Sequence, residues 1–155
     1  MPENHHYTAT VEWTGNRGSG TAAYRAYSRD HVIRIPGKPD IPGSSDPHFL
    51  GDPARHNPEE MLVASLSACH MLWYLHLCAE AGIVVMAYND AAEGAMAVEA
   101  DGAGQFVRVI LHPEVILAPG ADIERARALH HWAHERCFIA RSVNFPVTVE
   151  PVFRS

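Results

Sequence analysis

Residues 57–82, NPEEMLVASLSACHMLWYLHLCAEAG, carry the signals of one long central helix. Asn57 is a residue type that caps a helix. Pro58 suits the first helical position, where the amide proton it lacks would have no partner, and Glu60 stands three residues past the cap, as in a capping box. Gly82 is the stop. Between these marks nearly every face is apolar, so the helix must be surrounded, and one sheet covers only one side. Met61 to Ala79 is about as long as a membrane span. His70 and His76 inside it, Glu59, Glu60 and Glu80 at its ends, and the lack of a Lys or Arg bias favour a central helix wrapped by protein.

Working outward, the segment before this helix looks like antiparallel sheet. Tyr7, Ala9, Val11 and Trp13 alternate with polar neighbours, and Gly15 to Gly20 makes a turn. Thr21 to Ser28 and His31 to Ile35 are expected to continue the meander. Pro36 to Pro58 holds six prolines, which predicts a long irregular loop able to cover a site. Beyond the helix, Val84 to Tyr88, Gly94 to Ala100 and Gln105 to Leu117 have strand composition. A second helix begins after the cap Asp122, with Ile123, Ala126, His130, Ala133 and Cys137 at helical spacing. Val147 to Phe153 is a closing strand. This order of elements predicts an α+β class, and 155 residues suffice for one domain with a sizeable core.

The net charge of −6 and the absence of a basic cluster exclude a nucleic-acid footprint. The first residues have neither the basic start nor the apolar run of a secretory signal, so a cytoplasmic location is expected. In that reducing compartment the three cysteines point to metal, redox or core roles rather than to a disulfide framework.

Cys69, in the middle of the apolar helix, is by default an inert small hydrophobe. It becomes a nucleophile only if a cation lowers its pKa. The helix dipole cannot do so twelve residues past the cap, so an arginine from elsewhere is required. Arg17, in the glycine-rich turn, is the first candidate. Glu59 could orient such an arginine, yet it stands ten residues before Cys69, roughly 15 Å along one straight helix. Joint action needs a bent helix or a second subunit, and a homodimer would also wrap the apolar helix. The rival chemistry is metal binding by His130, His134 and Cys137, which fall at i, i+4 and i+7 on one helical face. Cys78 is read as core. No Gly-x-Ser-x-Gly elbow or phosphate-binding loop is present.

The run from Asn57 to His70, together with Ala133 to Cys137 and Ser142 to Val147, resembles the signature of the OsmC/Ohr family, and the Trp13 to Thr21 turn looks like that family's first hairpin. The resemblance implies an intertwined α+β homodimer, with two central helices packed against curved antiparallel sheets. It implies a thiol-dependent peroxidase that reduces organic hydroperoxides to alcohols: Cys69 attacks, Cys137 resolves, Glu59 is the acid of the Asn-Pro-Glu motif and Arg17 is the guanidinium partner. Arg25, Arg29 and Arg55 remain alternatives to Arg17. The implied cycle takes a Cys69 sulfenic acid to a Cys69–Cys137 disulfide and needs an external dithiol reductant but no metal or organic cofactor. A single domain over residues 1–155, with an insertion at 36–56, no membrane and no nucleic-acid partner, completes the expectation. The alternatives are a metal-binding protein and a non-enzymatic, stress-associated dimeric binding protein.

Overall fold

The computed structural model describes residues 2–155, which divide into two compact units, Met1–Met61 and Leu62–Ser155. In the first, strand β1 (Thr10–Trp13) pairs antiparallel with β2 (His31–Arg34), Trp13 facing His31, and β2 pairs antiparallel with β3 (Ile41–Gly43). The turn after β1 is organised by Asn16, whose Oδ1 accepts the Gly18 and Gly20 amide protons at 2.9 and 3.0 Å. Gly20 sits at φ 56°, a left-handed conformation that disfavours side chains.

Thr21 to Ser28, expected as a strand, is instead a succession of turns, closed by Ala22 N–H to Ser19 O and Ala26 N–H to Ala23 O. Arg29 supplies the cause. Its guanidinium donates to the Tyr24 and Tyr27 carbonyls, both at 2.6 Å, and lies over both tyrosine rings, so the backbone oxygens a strand would offer to a neighbour are taken. The proline-rich loop is also more ordered than its composition predicts. It contains β3, and its short 3-10 turn Pro47–Phe49 is capped by Asp46. Arg55 donates to the carbonyls of Gly43 and His31 at 2.9 and 2.8 Å. Side chains thus satisfy the backbone groups that the prolines keep out of a ladder.

Helix α1 (Pro58–Glu80) starts as its sequence indicates: Asn57, only 5% exposed, accepts the Glu60 amide proton at 2.9 Å. It ends at Gly82, φ 73°, with Ile83 N–H donating to Cys78 O. In the second unit, β4 (Val85–Asp90), β7 (Pro113–Leu117) and β9 (Val152–Arg154) form one sheet in the order β4-β7-β9. A second sheet holds β5 (Glu93–Val98), β6 (Gly104–Leu111) and β8 (Val147–Val149) in the order β5-β6-β8.

Two expected long strands are therefore split. His112 separates β6 from β7, and Glu150-Pro151 separates β8 from β9, so that each half enters a different sheet. Pairing is antiparallel between β4 and β7 and between β5 and β6, but parallel between β6 and β8 and between β7 and β9. Pro151 cannot donate a ladder bond, which explains the break.

Each sheet carries its own core. Leu66 packs with Val109, Leu111 and Val147. Further along α1, Tyr74, Leu77 and Cys78 pack with Val115, Leu117 and, from helix α2 (Ile123–Arg136), Ala126, Leu129 and Ala133. Asp122 caps α2, accepting the Arg125 amide proton at 3.1 Å. One side of α1 stays uncovered within the chain: Leu72 is 63% exposed, and Phe138, just past α2, is 67% exposed.

Candidate active site

Three contacts fix how α1 and α2 lie against each other. The Tyr74 hydroxyl donates to Ala126 O at 2.8 Å, His70 Nε2 meets His130 Nδ1 at 2.9 Å, and the Cys137 thiol lies beside Cys69. Positions fall along α1 as they rise along α2, so the helices run antiparallel, and this register brings together two cysteines 68 residues apart in sequence. Both are free thiols. Cys69 is partly exposed, whereas Cys137 is 1% exposed and closes the end of α2 as its C-cap. The structure thus pairs an accessible thiol with a sheltered one.

Burial pushes the Cys137 thiol up to about 11. The Ala140 amide, which donates to its Sγ at 3.4 Å, opposes this, and the adjacent Cys69 raises it further. Cys137 at rest is therefore a protonated thiol. Cys78, also 1% exposed, is in the core among Tyr74, Leu77 and Leu117, and its thiol is likewise held up by burial. Leu72, Trp73, His76 and Phe138 line an open apolar cavity of about 270 Å³. Leu72 and Trp73 come three and four residues after Cys69, and Phe138 directly follows Cys137.

In the first unit, Glu59 and Arg29 line one cavity of about 350 Å³ with Trp13, Tyr27, His31 and Phe49. Glu59 Oε2 is buried without a hydrogen-bond partner, an uncompensated acceptor. Arg17 is exposed in its turn. Arg55 is committed to backbone carbonyls and to Asp30 at 3.9 Å.

His130 and His134 do not make the metal face that their spacing allows: among the described residues no group of three or more His, Cys, Asp or Glu side chains is arranged to hold a metal ion. His130 instead binds His70, and its ring stacks on Tyr74 with centroids 3.8 Å apart. Burial is the main cause that pulls His70 down to about 4 and His130 to about 3, so both are neutral at neutral pH. His70 is the residue that sequence reasoning passed over. A histidine within a helix apolar on all faces was the available signal, since such a ring has to find a polar partner.

The OsmC-like protein family model matches residues 51–152. Among curated proteins, the uncharacterized protein YmaD of Bacillus subtilis is 24% identical over 150 residues, covering 95% of this chain and 92% of its own. Among solved structures, an OsmC-like protein of unknown function from Vibrio cholerae is 33% identical with a TM-score of 0.85, covering 96% of this chain and all of its own. An organic hydroperoxide resistance protein OsmC from Legionella pneumophila shares the fold at 17% identity, TM-score 0.71, over 99% of this chain and all of its own.

Proposed function

The chain belongs to the OsmC-like family, and from that premise we propose that it is a cytoplasmic thiol-dependent peroxidase that reduces organic hydroperoxides to alcohols. The observation that carries the reading is the Cys69–Cys137 pair, one thiol accessible and one sheltered beside it. Cys69 sulfur attacks the peroxide O–O bond; the alcohol leaves and Cys69 becomes a sulfenic acid. Cys137 then displaces the sulfenic oxygen as water and a disulfide forms, which an external dithiol returns to two thiols. No bound cofactor takes part. The Legionella neighbour's name, an organic hydroperoxide resistance protein, agrees with this chemistry.

Arg17 and Glu59 are proposed as the cation and its carboxylate anchor. Glu59 Oε2 is a buried acceptor without a donor, as a guanidinium partner requires. Arg29 lines the same cavity, but two of its terminal nitrogens donate to the Tyr24 and Tyr27 carbonyls, which makes it a clamp of the turn. Arg17 is exposed in its turn, and its guanidinium is the one we assign to the role. The uncovered apolar side of α1, with Leu72 and the neighbouring Phe138 exposed, supports a homodimer, since burying such a face against a second copy is the usual remedy.

The direct test is turnover of an alkyl hydroperoxide with a dithiol reductant. Cys69→Ser should abolish it; Cys137→Ser should permit a single oxidation of Cys69 and then stop. Full turnover by the Cys69→Ser protein would end the reading.

A further inference from the structure

Between the histidine pair and the cysteine pair stands a fifth side chain. His134 lies one turn after His130 and one turn before Cys137 on α2. It lies close enough to His70 of α1 to act on it electrostatically, and Cys69 is the preceding residue of that helix. Its Nδ1 is buried with no hydrogen-bond partner, and so is Nε2 of His130. Unpaired buried imidazole nitrogens are costly and are tolerated where they act. The chemistry of the neighbouring step supplies an action. When Cys137 attacks the sulfenic acid on Cys69, the Cys137 S–H proton must leave as the new S–S bond forms, and the oxygen that departs with the S–O electron pair must take up a proton to become water. A neutral imidazole can accept the first proton and deliver the second.

We propose that His134 is the proton-transfer group of disulfide closure between Cys69 and Cys137. This inference rests on the thiol-peroxidase reading for its biological use but not for its test. The 2.9 Å contact between His70 Nε2 and His130 Nδ1 needs a proton on one of the two nitrogens, which couples the tautomers of the two rings, and the stack on Tyr74 holds His130 in place. The titratable and charged groups around the cluster are Cys69 and Tyr74 from α1, Asp90 and Tyr88 from β4, and Arg127 and Cys137 from α2. Cys137, raised by burial, is the group that most needs a base.

The test uses one equivalent of 4,4′-dithiodipyridine on the intact protein. Cys69, the accessible thiol, takes the label and releases one thiopyridone. Cys137 then attacks the labelled Cys69 sulfur, its proton passing to His134, and the S–S bond to the label breaks with release of a second thiopyridone. Peptide mass locates the first label, and absorbance follows the second release. The wild-type rate of second release should level off with an inflection well below the raised ionisation range of the Cys137 thiol, as a base other than the thiolate requires. His134→Gln should slow it about 100-fold at pH 7, with the first release unchanged, and should converge on wild type as rising pH ionises the thiol directly. A wild-type profile that climbs without inflection until the thiol itself ionises would overturn the proposal. So would a His134→Gln protein with wild-type second release, or a wild type that never closes the disulfide. If the probe closes the disulfide with the predicted profile while hydroperoxide leaves both thiols free, the relay stands and only the peroxidase reading fails.

Discussion

At the scale of single residues, the histidine pair makes acid sensitivity a property of the core. His70 and His130 have folded-state pKa values of about 4 and about 3, below the ordinary 6.5, with burial as the largest cause. Between these values and 6.5 the unfolded chain binds protons that the folded chain refuses, so stability rises with pH in that window and is unaffected by the pair above it. Urea unfolding at pH 7 and pH 5 should show a loss of up to about 1 kcal/mol per pH unit for each histidine. The double variant His70→Leu/His130→Leu should flatten that slope. The cysteines were legible in the sequence because their surrounding motifs are specific. The His70–His130 contact was not, because it joins residues 60 positions apart and no local pattern encodes which two buried rings will meet. Arg17 and Glu59 are expected from residue type and motif alone, while the unpaired state of Glu59 Oε2 and the tyrosine-clamped Arg29 exist only in the folded chain.

The elements divide along the same line between local and non-local information. The start of α1 is written in adjacent residues, and Asn57 carries it with a hydrogen bond to the Glu60 amide. Asn57→Ala should therefore cost about 1 kcal/mol in chemical unfolding. Leu66, fully buried against Val109 and Leu111, should cost about 2–5 kcal/mol as Leu66→Ala. Both helices, with their caps, were readable because periodicity and capping are local. The strands were less so: Thr21 to Ser28 has strand composition yet turns under the hold of Arg29. Gln105 to Leu117 divides at His112, whose amide donates to Asp90 Oδ1 at 2.6 Å while Asp90 Oδ2 accepts from Ser67 of α1 at 2.5 Å. Asp90 thus ties the point of division to the central helix, a tertiary constraint with no sequence signature. The two parallel pairings, β6 with β8 and β7 with β9, follow from where the chain returns and not from any strand's own composition.

For the whole molecule, the apolar α1 both suggested a wrapped central helix and remains partly bare in one chain, with Leu72 63% exposed. If a second copy covers it, light scattering should give a dimer mass, and Leu72→Asp combined with Phe138→Asp should shift it toward monomer without loss of helix content. A wild-type monomer at micromolar concentration would remove the homodimer from the account. The α+β class followed from the order of elements, and family membership adds the architecture that composition alone leaves open. Whether Cys69 and Cys137 are a redox pair driven by hydroperoxide is read from intact mass with peptide mapping. After one equivalent of an alkyl hydroperoxide, the account predicts the loss of two hydrogens and a disulfide mapped to Cys69 and Cys137, with Cys78 still free. An unchanged mass with all three thiols free would contradict it.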